Sequence, residues 1–187
     1  MSVNMRKQID SKGFTVWFTG LACSGKSTIA DALVPVLKEK GFKVERLDGD
    51  VVRKSLTRDL GFSVEDRRKN IERVTFVAKL LTRNDVVVLA TFISPEIDMR
   101  DNARNEIGNF VEVYVKCSIA GCMARDVKGM YKKAIAGGIK DFTGIHDTAP
   151  YEEPPNPELV LDTEEFPVDA CVELVLDKLK EIGYIED

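Results

Sequence analysis

The chain has 187 residues, 44% hydrophobic and 31% charged, which is the balance of a folded globular domain and a length that suits one hydrophobic core. Its formal net charge of −4 excludes the broad basic face that grips DNA or RNA non-specifically, so a polyanionic ligand must be held by local groups. No apolar run approaches the roughly 18 to 20 residues that cross a bilayer, and Met1 to Lys12 lacks the apolar centre of a signal peptide, so a cytoplasmic protein without a membrane partner is expected.

Thr15 to Thr19 is a β-branched and aromatic run stopped by Gly20, and it predicts a buried strand. From Lys26, apolar residues at 29, 32, 33, 36 and 37 recur at helical spacing until Gly41, a C-terminal cap. Lys43 to Leu47 predicts the next strand, making a βαβ unit whose crossover implies parallel pairing. Ser63-x-x-Asp66 caps a helix running to about Asn84, Val86 to Thr91 is a strand, and Pro95 opens a helix near its first turn. Phe110 to Lys116 is a further strand, followed by a helix around Ile119 to Asp126. The stretch from about 127 to 157 is long, basic and rich in Gly and Pro, which reads as a mobile lid. Leu159 to Leu161 forms a last short strand and Val168 to Ile182 a closing helix. The expectation is a single domain over 1–187, α/β, with a five-stranded parallel sheet, helices on both faces, and ligands beyond the carboxyl ends of the strands.

Gly20-Leu21-Ala22-Cys23-Ser24-Gly25-Lys26-Ser27 satisfies G-x-x-x-x-G-K-[ST] between a predicted strand and a predicted helix, the context a phosphate-binding loop requires. Its glycines let backbone N–H groups turn toward phosphate oxygens, and the helix adds its positive end, so the stretch from Gly20 to Thr28 is assigned to ATP. Lys26 is expected at the β and γ phosphates, as a catalytic charge. The Ser27 hydroxyl is expected on Mg2+, a hard cation that prefers oxygen. Only the backbone of Cys23 is needed there. The four cysteines, Cys23, Cys117, Cys122 and Cys171, form no C-x-x-C pair and have no metal-ligand spacing to the single histidine, so reduced thiols are expected.

A phosphate loop alone names no reaction. The second strand closes on Leu47-Asp48-Gly49-Asp50-Val51-Val52-Arg53, whereas Val86 to Phe92 ends without an acid. Carboxylates at such a strand end can hold magnesium-bound water or take a proton from an attacking hydroxyl, and Asp50 is assigned that base role and a place at the metal. The alternative is that Asp48 and Asp50 only cap the short helix after them.

With these residues in view, the sequence resembles the adenylylsulfate kinases over nearly its whole length. The resemblance is carried by L-D-G-D-x-x-R at 47–53, G-F-S-x-x-D-R-x-x-N-I at 61–71, F-I-S-P at 92–95, R-D-x-K-G-x-Y at 125–131 and F-T-G-I at 142–145. It implies a kinase that moves the γ-phosphoryl of ATP to the 3′-hydroxyl of adenosine 5′-phosphosulfate, in sulfate assimilation. It further implies a homodimer and functional coupling to an ATP sulfurylase. By the same resemblance Asp48, Asp50, Arg53, Arg67 and Asn70 bind the acceptor, Phe62 and Phe142 stack on its adenine, Ile93 and Ser94 line the pocket, Lys128 reaches in from the lid, and Arg125 lies at the ATP adenine. Ser94 is sometimes regarded in this family as a phosphorylated intermediate; direct in-line transfer is preferred here, because phosphoryl transfer needs positioning and charge neutralisation rather than a covalent step. Two departures stand out: Ala22-Cys23-Ser24 replaces a commoner Ser-Gly-Ala, a less permissive backbone, and the lid around 144–152 is about two residues longer than the family pattern. The rival readings are a related small-molecule kinase acting on another nucleotide or a sugar, and a nucleotide-dependent switch protein.

Overall fold

The structure is a computed structural model describing residues 13–186; Met1 to Lys12, read above for a signal peptide, lie outside the described residues. Five parallel strands form one sheet in the order β2-β3-β1-β4-β5: β1 (Thr15–Thr19), β2 (Lys43–Asp48), β3 (Val86–Thr91), β4 (Phe110–Lys116) and β5 (Leu159–Asp162). Central β1 is buried along its whole length, which is why both alternate sets of its residues avoid charge. Edge strand β2 carries Lys43, Glu45 and Arg46 and is only half-buried.

The period-two alternation of β1 sorts its side chains. Val16 and Phe18 join a core with Ile29, Leu33 and Leu37 of α1 (Lys26–Glu39) and Val175 and Leu179 of α7 (Val168–Glu181). Trp17 points the other way, into a second core with Val74 and Ala78 of α3 (Val64–Thr82) and Met99 and Ala103 of α4 (Ile97–Ile107). Thr15 and Thr19 share the Trp17 side, where Thr15 Oγ1 lies 2.8 Å from Thr82 Oγ1. The sheet is therefore covered on both faces, as expected.

Local chemistry ends the helices where the sequence implies. After α1, Gly41 takes φ +93° and its N–H bonds the Lys38 carbonyl while the Phe42 N–H bonds Leu37, a Schellman closure. At the start of α3 the Ser63 hydroxyl accepts the Asp66 N–H at 3.1 Å, and Asp66 reaches back to the Gly61 N–H at 3.1 Å. The helix expected to open at Pro95 begins instead at Ile97. Pro95 stays in the loop because its carbonyl accepts the Glu152 N–H, while the Glu152 carboxylate accepts the Ile97 N–H at 2.7 Å and caps the helix from a distant segment. Short helices α2 (Gly49–Val52) and α5 (Ile119–Arg125) follow β2 and β4 directly. The stretch 127–157, in which no element was expected, holds helix α6 (Met130–Ile135), with the Asp126 carboxylate accepting the Tyr131 and Lys132 N–H groups at 3.1 and 3.0 Å. Among the described residues no helix is long and apolar enough to cross a membrane.

Candidate active site

The phosphate loop leaves β1 through Gly20 at φ +144°, where a Cβ would stand 2.4 Å from the Val115 carbonyl oxygen, so the first glycine is required by crowding as well as by conformation. Gly25 takes φ +107° and Cys23 φ +61°, a left-handed conformation for a residue with a side chain. The Lys26 ammonium folds over this arch and donates to the Gly20 and Leu21 carbonyls at 2.9 and 2.6 Å. Burial strips it of water and pushes its pKa down from 10.5 to about 8.

The far side of the loop has a floor. Thr163, just after β5, donates its hydroxyl to the Ser24 carbonyl at 2.9 Å, and Arg125 of α5 donates to Thr163 Oγ1 and its carbonyl at 2.8 and 2.6 Å. Arg125 thus stands beside the phosphate loop. Thr163 was missed by the sequence reading, since its only signal there is its place after a short strand.

Asp48 organises the acidic strand end. Its Oδ2 accepts from Ser27 Oγ at 2.7 Å and from Thr91 Oγ1 at 2.9 Å, while Oδ1 accepts the Asp50 N–H at 3.0 Å and so caps α2. Capping and site chemistry are therefore not alternatives for this residue, because each takes one oxygen. Partial burial raises the Asp48 pKa, but the hydrogen bonds from Ser27, Thr91 and the Asp50 amide, with the Arg46 charge, outweigh it and hold the carboxyl below its ordinary value. Thr91 stands at the end of β3 where no acid was found and passes its hydrogen to Asp48. The exposed Asp50 carboxylate pairs with Lys128 Nζ, while it is Asp48 that accepts the Ser27 hydroxyl. Ser27, Asp48, Asp50 and Lys128 line a cleft of about 390 Å³ with Asp31 and Arg46.

The donor set fits a hard cation, with the Ser27 hydroxyl and an Asp48 carboxylate oxygen 2.7 Å apart. Among the described residues no group of three or more His, Cys, Asp or Glu side chains could hold a metal alone, so a cation here would be shared with phosphates and water.

Of the expected acceptor residues, Arg53 ends α2, Phe62 precedes α3, Arg67 and Asn70 lie on α3, Phe142 follows α6, Ile93 and Ser94 follow β3, and Lys128 precedes α6. Arg53 donates to the Gly61 carbonyl at 2.8 Å and lies 4.3 Å over the ring of Phe62, which is 59% exposed. Arg67 donates to Thr143 Oγ1 at 2.6 Å and to the Asp141 carbonyl, tying α3 to the residues flanking Phe142. Burial and the neighbouring Arg67 charge both lower the Arg53 pKa. Phe142 is buried edge-on to Tyr131 with ring centroids 4.9 Å apart. Asn70 is buried and accepts from Thr57 Oγ1 at 2.7 Å. His146, the single histidine, accepts the Phe142 N–H at 2.9 Å and holds a turn.

Ser94, expected to be catalytic, has a buried hydroxyl that accepts from Trp17 Nε1 at 3.0 Å and donates to Thr19 Oγ1 at 3.2 Å. Its backbone sits at φ +39°. That hydroxyl is committed to a framework.

A model of the adenylylsulphate kinase family matches residues 12–162. The chain belongs to the adenylylsulphate kinase family. It is 57% identical to a probable adenylyl-sulfate kinase of Pseudomonas aeruginosa over 90% of this chain and 78% of that protein, and 55% identical to an adenylyl-sulfate kinase of Halothermothrix orenii over 97% and 95%. Among solved structures it resembles the Mycobacterium tuberculosis APS kinase in complex with AMPPNP and APS, with TM-score 0.86 and 42% identity over 90% of this chain and 98% of that one. A gluconokinase from Sinorhizobium meliloti, 16% identical with TM-score 0.60 over 92% of this chain and 94% of that one, shares the fold alone. For this adenylylsulphate kinase family member the five-stranded parallel sheet, the phosphate loop and the flanking helices are those of the P-loop kinases.

Proposed function

We propose that the chain transfers the γ-phosphoryl group of ATP to the 3′-hydroxyl of adenosine 5′-phosphosulfate, giving 3′-phosphoadenosine 5′-phosphosulfate and ADP. Two features support this reading: a phosphate loop with Lys26 and Ser27, and two arginines close enough for one charge to act on the other, Arg53 and Arg67, on the elements that follow the acidic end of β2. Membership of the adenylylsulphate kinase family supports the choice of acceptor over another nucleotide or a sugar.

On binding the donor, Lys26 exchanges the Gly20 and Leu21 carbonyls for phosphate oxygens, and the loop amides replace solvent around them. Ser27 and Asp48 would hold Mg2+, which neutralises charge on the phosphates when bound. Asp50 accepts the proton of the attacking hydroxyl and releases Lys128 toward the acceptor. Arg53 and Arg67 match the phosphosulfate oxygens, and Phe62 and Phe142 offer apolar faces to the adenine. The protein is read as cytoplasmic, homodimeric and served by an ATP sulfurylase.

A coupled assay with ATP and Mg2+ that compares adenylylsulfate with adenosine monophosphate, shikimate and gluconate tests the reading. Adenylylsulfate is expected to turn over fastest; faster turnover of any of the others defeats it. In the same assay Lys26→Ala and Asp50→Asn should each lower kcat by about a hundredfold or more, the loss typical of a charge stabiliser or a base.

A further inference from the structure

Thr19 precedes the first glycine of the donor loop, yet its hydroxyl serves the loop after β3. It donates to the Ile93 carbonyl at 2.7 Å, which uses its single hydrogen. The other two partners of Thr19 Oγ1 must then donate to it: Ser94 Oγ at 3.2 Å and Tyr151 Oη at 2.9 Å. Ser94 in turn accepts from Trp17 Nε1 at 3.0 Å. Every hydrogen is used once, so the network has a single direction and converges on the Ile93 carbonyl.

A second set of bonds holds the same loop from behind. Arg100, almost wholly buried, donates to the Ser94 carbonyl at 2.6 Å and to the Glu152 carbonyl at 2.7 Å. Its Nε approaches Glu112 Oε1 to 2.8 Å, out of line for a hydrogen bond but as a charge pair. The Glu152 N–H bonds the Pro95 carbonyl at 2.8 Å and the Glu152 carboxylate takes the Ile97 N–H. A serine at φ +39° stays there only if its surroundings dictate it, and these contacts do so. The Tyr151 ring lies nearly parallel to Tyr114 at 5.9 Å, which aims the hydroxyl, and burial raises its pKa to about 12, so it stays a donor throughout the working range.

We propose that Tyr151 is a positioning residue for the acceptor: through Thr19 it sets the Ile93 and Ser94 main chain and, with Arg100, locks that loop to the returning limb of the lid and to the root of the donor loop. The inference rests on the reading of Ile93 and Ser94 as part of the acceptor pocket. It assigns a role to three residues, Tyr151, Thr19 and Arg100, that need not touch either substrate.

Tyr151→Phe keeps the ring and its stacking on Tyr114 and removes one donor. Steady-state kinetics should show kcat/KM for adenylylsulfate falling about tenfold, the scale of one buried hydrogen bond, with KM for ATP within about twofold of wild type. Thr19→Val should give the same acceptor-specific defect, and the double variant should be little worse than the weaker single, since both act through one hydroxyl. Tyr184→Phe removes a phenol on the opposite face, against Phe14, and should change neither constant. Wild-type kinetics in Tyr151→Phe, parallel losses for both substrates, or additive losses in the double variant overturn the inference alone. A wild-type protein that does not phosphorylate adenylylsulfate overturns the proposed function, and the inference with it.

Discussion

Lys26 shows how a single residue links burial to ligand binding. Its ammonium is held by neutral oxygens, so nothing fully offsets the loss of water, and its pKa lies near 8 instead of 10.5. The folded state therefore binds fewer protons than the unfolded chain between those values. The cost of keeping Lys26 charged is present below about pH 8 and is relieved as pH rises toward 10.5, so this residue makes stability increase across that window. Donor phosphates favour the charged form. Titration calorimetry with an ATP analogue in buffers of different ionisation enthalpy should show uptake approaching one proton per site near pH 9 and almost none near pH 7. Equal observed heats in all the buffers at pH 9 would contradict the assignment of Lys26 to the phosphates.

At the scale of elements, α3 depends on its first turn, where Ser63 caps the Asp66 N–H and Asp66 bonds the Gly61 N–H. Ser63→Ala should lower stability by about 1 kcal/mol, measured by urea denaturation, because one donor at the helix end loses its partner. Such caps are legible in sequence because they are local, and so were the five strands and the long helices, whose periodicity follows from burial on one face or two. Helix α6 was not legible: six residues among Gly, Pro and Lys carry too little periodicity, and its start is set by Asp126, which reads equally well as part of a loop. The phosphate loop and the acidic end of β2 were legible as motifs. Tyr151, Arg100 and Thr163 were not, since each acts on a residue distant in the chain and none has a spacing of its own. The sequence likewise left open whether Asp48 only caps a helix or also serves the site, and only the structure shows one oxygen on the helix end and the other on Ser27.

At the scale of the whole molecule, the segment 127–157 is joined to the sheet by contacts of unequal strength. The Lys128–Asp50 pair is exposed on both sides and contributes little, whereas Tyr131 donates to the Ala22 carbonyl at 3.0 Å and Arg67 holds Thr143. Hydrogen exchange should therefore find the amides around 127–130 among the faster ones, slowed about tenfold or more when AMPPNP and adenylylsulfate are added together, with β1, β3 and β4 unchanged. No slowing would argue against closure over the substrates. The same connectivity bears on biosynthesis. The carbonyl of Ser24 receives its support from Thr163, 139 residues later. A nascent chain thus carries the nucleotide-gripping arch long before the residue that underpins it has been made.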